Sequence, residues 1–326
     1  MIELLSVETE RWPVAGSFNI SRGAKTHVDV VLCRLRDGIH EGRGEATPIY
    51  YHGETAEGCV QAIAAYVGNG GVPDRQTLLE NMPRGAARNA LDCALWDLEA
   101  RRSGQPVWKL AGLPEPHALP TAYTISLNDP ALMERDTVTA TARGFRILKC
   151  KLTGEGDIAR IEAVRRGAPH VRLIVDANES WQGRDIAAEA ARLGELGVEM
   201  IEQPVRHGFE DSLEGVPSPV PFCADESCQD RADLPRLGAF EAINIKLDKA
   251  GGLTEALALA AQGRAMDKRL MVGCMLGTSL AMAPAFLLAQ QAEWVDLDGA
   301  LLLAKDRPGA LEVHDGLLCP GTLWGC

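Results

Sequence analysis

The 326-residue chain holds no apolar run of the roughly eighteen residues that a membrane-spanning helix needs. Its opening, "MIELLSVETERWPV", lacks the basic segment, apolar core and small-residue cleavage site of a secretory leader, so a cytoplasmic location is expected. Positive charge is also short, with 33 Lys and Arg against 45 Asp and Glu and a formal net charge of -12. That balance argues against a nucleic-acid-binding face and against an anionic membrane surface as partner. The nine cysteines are scattered with no C-x-x-C pair, which reads as reduced thiols in core positions rather than a disulfide framework. The seven histidines form no H-E-x-x-H or Cys/His pattern, so zinc is not expected. No glycine-rich phosphate fingerprint follows any strand-like run, which disfavours an open doubly wound sheet.

What is present is a core and a rhythm. Hydrophobic residues make up 46% of the chain, enough for a substantial interior. The proline-rich stretch "LPEPHALP" (113–120) divides two differently patterned regions. Before it, strand-like runs at 1–12, 26–36 and 40–46 precede helical stretches at about 54–68 and 85–111, an α+β pattern. After it, short apolar runs recur: "TAYTISL" (121–127), "ILKCKL" (147–152), "RLIVDAN" (172–178), "VEMIEQP" (198–204), "PFCADES" (221–227), "AINIKL" (242–247), "RLMVGCM" (269–275) and "WVDLDG" (294–299). Alanine-rich helical stretches separate most of them. The alternation predicts an α/β fold with a parallel (β/α)8 barrel over 118–299 and an α+β capping domain over 1–113, completed by about 300–326.

In such barrels, chemistry gathers at the C-terminal ends of the strands. Strand alternation puts Lys149 and Lys151 on one face and Leu148, Cys150 and Leu152 on the other. The same parity in "AINIKL" leaves Asn244 and Lys246 facing the mouth, with Lys249 beyond the strand on the opposite parity and ranked below Lys246. Asp176, Glu202 and Asp225 end three consecutive strands. A single acid there is usually a cap or a solvated rim charge. Three adjacent carboxylates repel one another unless a cation sits between them, and oxygen-only ligation points to a hard ion, Mg2+ before Ca2+. Lys151 and Lys246 end strands four apart in an eight-membered ring, so they face each other across the mouth. Two bases on opposite faces of one carbon describe a 1,1-proton transfer, the ion stabilising the charge that develops on the substrate. The competing reading makes the lysines structural ion-pair partners of the acids. Asp296 and Asp298 share a face near the end of the eighth strand and suit a cationic substrate group. Arg22 and Lys25, in "SRGAK", are candidates for a distal substrate carboxylate.

The pattern K-x-K at 149–151, "VDAN", "IEQP", "ADES" and "NIKLDKAGG" resembles the enolase superfamily, in its muconate-lactonizing subgroup, in order and spacing. The stretch "ARNALDCALWDLEARRSGQPVWKLAG" (87–112) is similar to that family's capping-domain helix and linker. With "DLDG" (296–299) and "KLDKAGGLTEAL" (246–257), the resemblance narrows to the dipeptide epimerases. It implies an isomerase with Lys151 and Lys246 as catalytic bases and Mg2+ on Asp176, Glu202 and Asp225. It also implies that Asp296 and Asp298 bind the free ammonium of a dipeptide, as in the enzymes that epimerise Ala-Glu during murein peptide recycling. Lys149, beside Lys151 on the same face, is expected from that position to contact the substrate carboxylate. Other subgroup reactions stay open: cycloisomerisation, o-succinylbenzoate synthesis and N-succinylamino acid racemisation. A non-catalytic binding barrel is the different-class alternative. A small dipeptide is the expected partner, and homo-oligomerisation is left open.

Overall fold

The computed structural model describes residues 2–20 and 23–325, apart from the side chains of residues 16–25 and Asn69. Three antiparallel strands, β1 (Glu3–Ile20), β2 (Gly23–Asp37) and β3 (His40–Ala46), open the chain in the order β1-β2-β3. β2 is buried on both faces, which explains its nearly continuous apolar run. Val31, Cys33 and Leu35 pack into the cap's own core, whereas Val28 and Val30 pack with Leu276 and Leu303 from the barrel's loops. Four helices follow: α1 (Ala56–Gly70), α2 (Arg75–Asn81), α3 (Ala86–Ser103) and α4 (Val107–Leu110). α3 lies so close to β3 that a Cβ on Gly44 would stand 2.1 Å from the Ala90 carbonyl oxygen, so no side chain fits there.

After the short β4 (Leu119–Pro120), eight strands form one parallel sheet in sequence order: β5 (Ala122–Ile125), β6 (Ile147–Lys151), β7 (Arg172–Asp176), β8 (Val198–Glu202), β9 (Phe222–Ala224), β10 (Ala242–Ile245), β11 (Arg269–Gly273) and β12 (Trp294–Asp296). The ring closes between its ends, where Leu297 N donates to Thr121 Oγ1 and Thr124 N donates to Asp298 Oδ2. The outer helices are α5 (Pro130–Ala142), α6 (Asp157–Gly167), α7 (Ile186–Glu195), α8 (Leu247–Ala250), α9 (Leu253–Ala265) and α10 (Ser279–Ala289). The sequence-expected (β/α)8 architecture is therefore present, with no α-helix after β8, β9 or β12. After β8 and β9 the chain makes only 3-10 turns, Glu210–Leu213 and Arg231–Arg236. Pro204, Pro217, Pro219 and Pro235 interrupt those segments and remove the donors a longer helix would need. A terminal hairpin, β13 (Val313–His314) and β14 (Leu317–Leu318), pairs with β4, and the tail then returns to α3 and α4. There Gly325 N donates to Asp97 Oδ1 and Trp324 Nε1 to the Cys93 carbonyl.

The barrel interior is layered. Ala122, Ile147, Ile174, Met200, Cys223, Ala242, Met271 and Trp294 form one dry cluster, with one residue from each strand. The opposite parity points outward, where Leu148, Cys150 and Val175 pack against the helices. Because a strand repeats its facing every two residues, the next inward layer is fixed by the first. Two positions further along the eight strands stand Thr124, Lys149, Asp176, Glu202, Asp225, Asn244, Gly273 and Asp296.

Candidate active site

That second layer is almost entirely polar, and it floors a pocket beneath the cap. The pocket is lined by Lys149, Lys151, Asp225, Lys246, Asp296 and Asp298 from the barrel and by Thr47, Pro48, Tyr50 and Tyr51 from the cap. The parallel register places Lys151 beside Asp176 and Asp176 beside Glu202, so the charged groups are neighbours by strand pairing alone. Asp176, Glu202 and Asp225 each offer a carboxylate oxygen within 4.8 Å of the others, all three residues being buried.

Four ammonium groups surround these acids. Lys149 Nζ stands 2.5 Å from Glu202 Oε2, 2.8 Å from Asp296 Oδ2 and 3.5 Å from Asp176 Oδ2. Lys151 Nζ donates to Asp176 Oδ2 at 2.7 Å, and Lys246 Nζ to Asp225 Oδ2 at 2.6 Å. Lys249 Nζ is fully buried and donates to Asp225 Oδ1, to the Asp225 carbonyl and to the Asn244 carbonyl. The four-residue helix α8 turns Lys249 back toward Asp225, although it lies past the strand. Its three bonds are those of a structural tether.

Burial and neighbouring charge act against each other throughout. Burial alone penalises the Lys246 ammonium, but Asp225 and Glu202 outweigh it and hold its pKa well above the ordinary range. Lys149 behaves likewise: burial lowers its pKa, and Asp296, Glu202 and Asp176 more than reverse that. Burial pushes Glu202 up to about 7, with Asp176 adding repulsion. Asp225 is also buried, yet Lys246 and Lys249 drive its carboxyl well below the usual value. Burial and then Asp296 raise Asp298 to about 7.

Two further side chains hold the acids in place. Asn244 Nδ2 donates to Glu202 Oε1 across the intervening strand, and a Cβ on Gly273 would stand 2.7 Å from Asn244 Oδ1. Gln203 follows Glu202 with φ at 38°, a left-handed backbone that is uncommon outside glycine. From there its Oε1 accepts from Asp225 N and Ser227 N, tying the end of β8 to the end of β9.

The structure thus brings together Lys149, Lys151, Asp176, Glu202, Asp225, Lys246, Asp296 and Asp298. Arg22 and the side chain of Lys25 fall outside the described residues. Asp296 is less remote from the acid cluster than its strand number suggests, because Lys149 bridges it to Glu202. Sequence reasoning placed Asn244 at the mouth but gave it no work, and it passed over Gln203 and Thr124. The signal for Thr124 was its register two positions after Ala122.

Residues 133–323 match the family model described as "Enolase C-terminal domain-like". Residues 1–112 match "Mandelate racemase / muconate lactonizing enzyme, N-terminal domain". The chain belongs to this enolase-like family. Within the family, it is 43% identical over 317 residues to the L-Ala-D/L-Glu epimerase of Escherichia coli (strain K12), covering 96% of this chain and 98% of that one. It is 45% identical over 251 residues to an N-acetyl-D-glutamate racemase of Pseudoalteromonas sp, covering 76% and 79%. A solved family member from Agrobacterium tumefaciens, described as having homology to dipeptide epimerases and holding sodium and L-Ala-L-Glu, superposes with a TM-score of 0.94 at 47% identity over 100% of both chains.

Proposed function

We propose that this chain is a Mg2+-dependent dipeptide epimerase that inverts the α-carbon of the C-terminal residue, with L-Ala-L-Glu or L-Ala-D-Glu as substrate, in murein peptide recycling. The observation that carries the reading is the arrangement of one pocket. It holds two lysines from strands four apart, a buried acid cluster between them, and the Asp296–Asp298 pair on the remaining side.

Asp176, Glu202 and Asp225 would hold the ion. The all-oxygen donor set fits a hard divalent cation, and the three carboxylate oxygens lie within 4.8 Å of one another. When bound, the ion supplies electrostatic stabilisation for the charge that appears on the substrate carboxylate as its α-proton leaves. The remaining work falls to side chains. Lys149 contributes positive charge toward that carboxylate. One of Lys151 and Lys246 accepts the α-proton as a free amine, while the other, as an ammonium, donates a proton to the opposite face. In the reverse direction they exchange roles. The strong attraction of Asp225 and Glu202 for the Lys246 proton suits the donor state. Asp296 and Asp298 receive the N-terminal ammonium. Arg22 and Lys25 are proposed for the glutamyl carboxylate. The division into a cap over 1–113, completed by about 300–326, and a barrel over 118–299 belongs to the same reading.

One observation favours a second reading, racemisation of an N-acylated amino acid. Asp298 already accepts Thr124 N, and burial and Asp296 push its carboxyl up to about 7, so part of it stands neutral near neutrality and can face an uncharged acyl group. The Pseudoalteromonas relative acts on such a compound by its name. Rates on Ala-Glu and on N-acetylglutamate, followed by chiral chromatography with added Mg2+, separate the two. The epimerase reading expects Ala-Glu to be favoured by roughly thirtyfold or more, the effect of leaving a buried charge pair unmatched. A preference for N-acetylglutamate would replace it with the racemase.

A further inference from the structure

The carboxylate of Asp248 joins the cap to the Lys246 segment. Asp248, two residues after Lys246 in α8, is buried, and its Oδ1 accepts two hydrogen bonds from the cap: Thr47 N at 2.9 Å and Asn89 Nδ2 at 2.9 Å. Thr47 also donates through Oγ1 to the Leu276 carbonyl at 2.6 Å, in the loop after β11. Thr47 begins the cap segment whose Pro48, Tyr50 and Tyr51 line the pocket, and Leu276 and Lys246 line it from below. On the other side of α8, Arg88 of α3 donates to the carbonyls of Ala250 and Gly251. The approach is tight, since a Cβ on Gly251 would stand 2.5 Å from Arg88 Nε and one on Gly252 would stand 2.4 Å from Asp92 Oδ2. The short helix behind the base is therefore gripped by the cap.

We propose that Asp248 is a positioning residue that registers the cap segment 47–51 to the segment bearing Lys246, so that the pocket's roof and one of its two bases move together. The role of Lys246 in this statement rests on the epimerase reading above, whereas the link itself does not. Burial raises the Asp248 carboxyl to about 7, with Glu54 and Glu45 adding to the rise against its hydrogen bonds, so an amide of the same shape is a mild replacement. An asparagine keeps an acceptor oxygen at Oδ1. A leucine removes it and leaves the Thr47 N–H buried without a partner.

The test compares wild type with Asp248→Leu, Asp248→Asn and Asn89→Leu, the last removing one bond from the cap side. Amide hydrogen exchange of peptides spanning 47–53 should quicken by roughly tenfold to a hundredfold in Asp248→Leu, the range expected from losing one or two buried hydrogen bonds. It should quicken less in Asn89→Leu and return close to wild type in Asp248→Asn. Deuterium uptake at the substrate α-carbon, measured from each epimer separately, should fall more from the epimer served by Lys246 than from the one served by Lys151. A merely structural role would slow both alike. Unchanged exchange over 47–53 in both leucine variants, or equal loss from both epimers, would overturn the proposal. Should wild type exchange no dipeptide at all, the epimerase reading fails, and the amide-exchange arm still decides whether Asp248 is the link.

Discussion

Two rings of eight residues lie one above the other in the barrel, and they could hardly differ more. The lower ring, from Ala122 to Trp294, is dry and apolar. The upper, two residues further along each strand, carries a lysine and four carboxylates among its members. Both are built by the same strands with the same parity, so the difference lies in side-chain chemistry and not in backbone. The lower ring gains stability from burial, about 25 cal/mol per Å2 of apolar surface. The upper ring opposes folding, because taking charges out of water costs several kcal/mol per ion unless each finds a partner. Its acids find their partners in Lys149 and in Lys151, Lys246 and Lys249 beside the ring.

The comparison can be broken most forcefully at the upper ring. Glu202→Gln should weaken Mg2+ binding, read by titration calorimetry, by at least the hundredfold that losing even an outer partner of a metal ligand can cause. Unaltered affinity would remove Glu202 from the ion's site. In the lower ring, Met271→Ala should lower unfolding free energy by about 2–5 kcal/mol, since a buried side chain is replaced by a cavity. Its rate per folded molecule should stay close to wild type. A large loss of rate with little loss of stability would show that the dry ring does more than support.

A buried acid outside both rings sharpens the point. Asp92 on α3 is surrounded by hydroxyl and amide donors, accepting from Thr254 Oγ1 at 2.5 Å and Thr254 N at 3.0 Å, and burial pushes its carboxyl up to about 6 from 3.8. Asp225, equally buried, is lowered because Lys246 and Lys249 adjoin it. Asp92 binds its proton more tightly folded than unfolded. Stability from this group is therefore greatest below about pH 4 and lost as pH rises to about 6, up to roughly 3 kcal/mol. Denaturant unfolding across that window should show wild type losing stability relative to Asp92→Asn. Parallel curves would mean that Asp92 titrates normally.

Much of this was legible in the chain. Strand parity alone set Lys149 and Lys151 inward and Leu148 and Cys150 outward, because a parallel barrel buries both faces but makes only one of them polar at the mouth. The acids ending β7, β8 and the loop after β9 could be found for the same reason. Tertiary geometry was less accessible. Lys249 reaches Asp225 only because α8 bends the chain back after β10. Gln203 works from a left-handed backbone that no alternation rule anticipates. Asp248 draws its partners from residues more than 150 positions earlier, Thr47 and Asn89, and sequence spacing carries no record of that contact. The helices missing after β8 and β9, by contrast, coincide with prolines in the chain, a signal that the sequence reading did not use.

The central claim is that Lys151 and Lys246 serve opposite faces of one α-carbon. The most direct measurement incubates L-Ala-L-Glu and L-Ala-D-Glu separately in deuterated water with Lys151→Ala and with Lys246→Ala, and follows α-deuterium by mass spectrometry. Each variant should lose epimerisation by roughly a hundredfold to ten-thousandfold, the usual range for removing a positioned base. Each should still exchange the α-proton of one epimer, and the two variants should retain opposite epimers. Exchange of the same epimer by both, or undiminished epimerisation by either, would contradict the account.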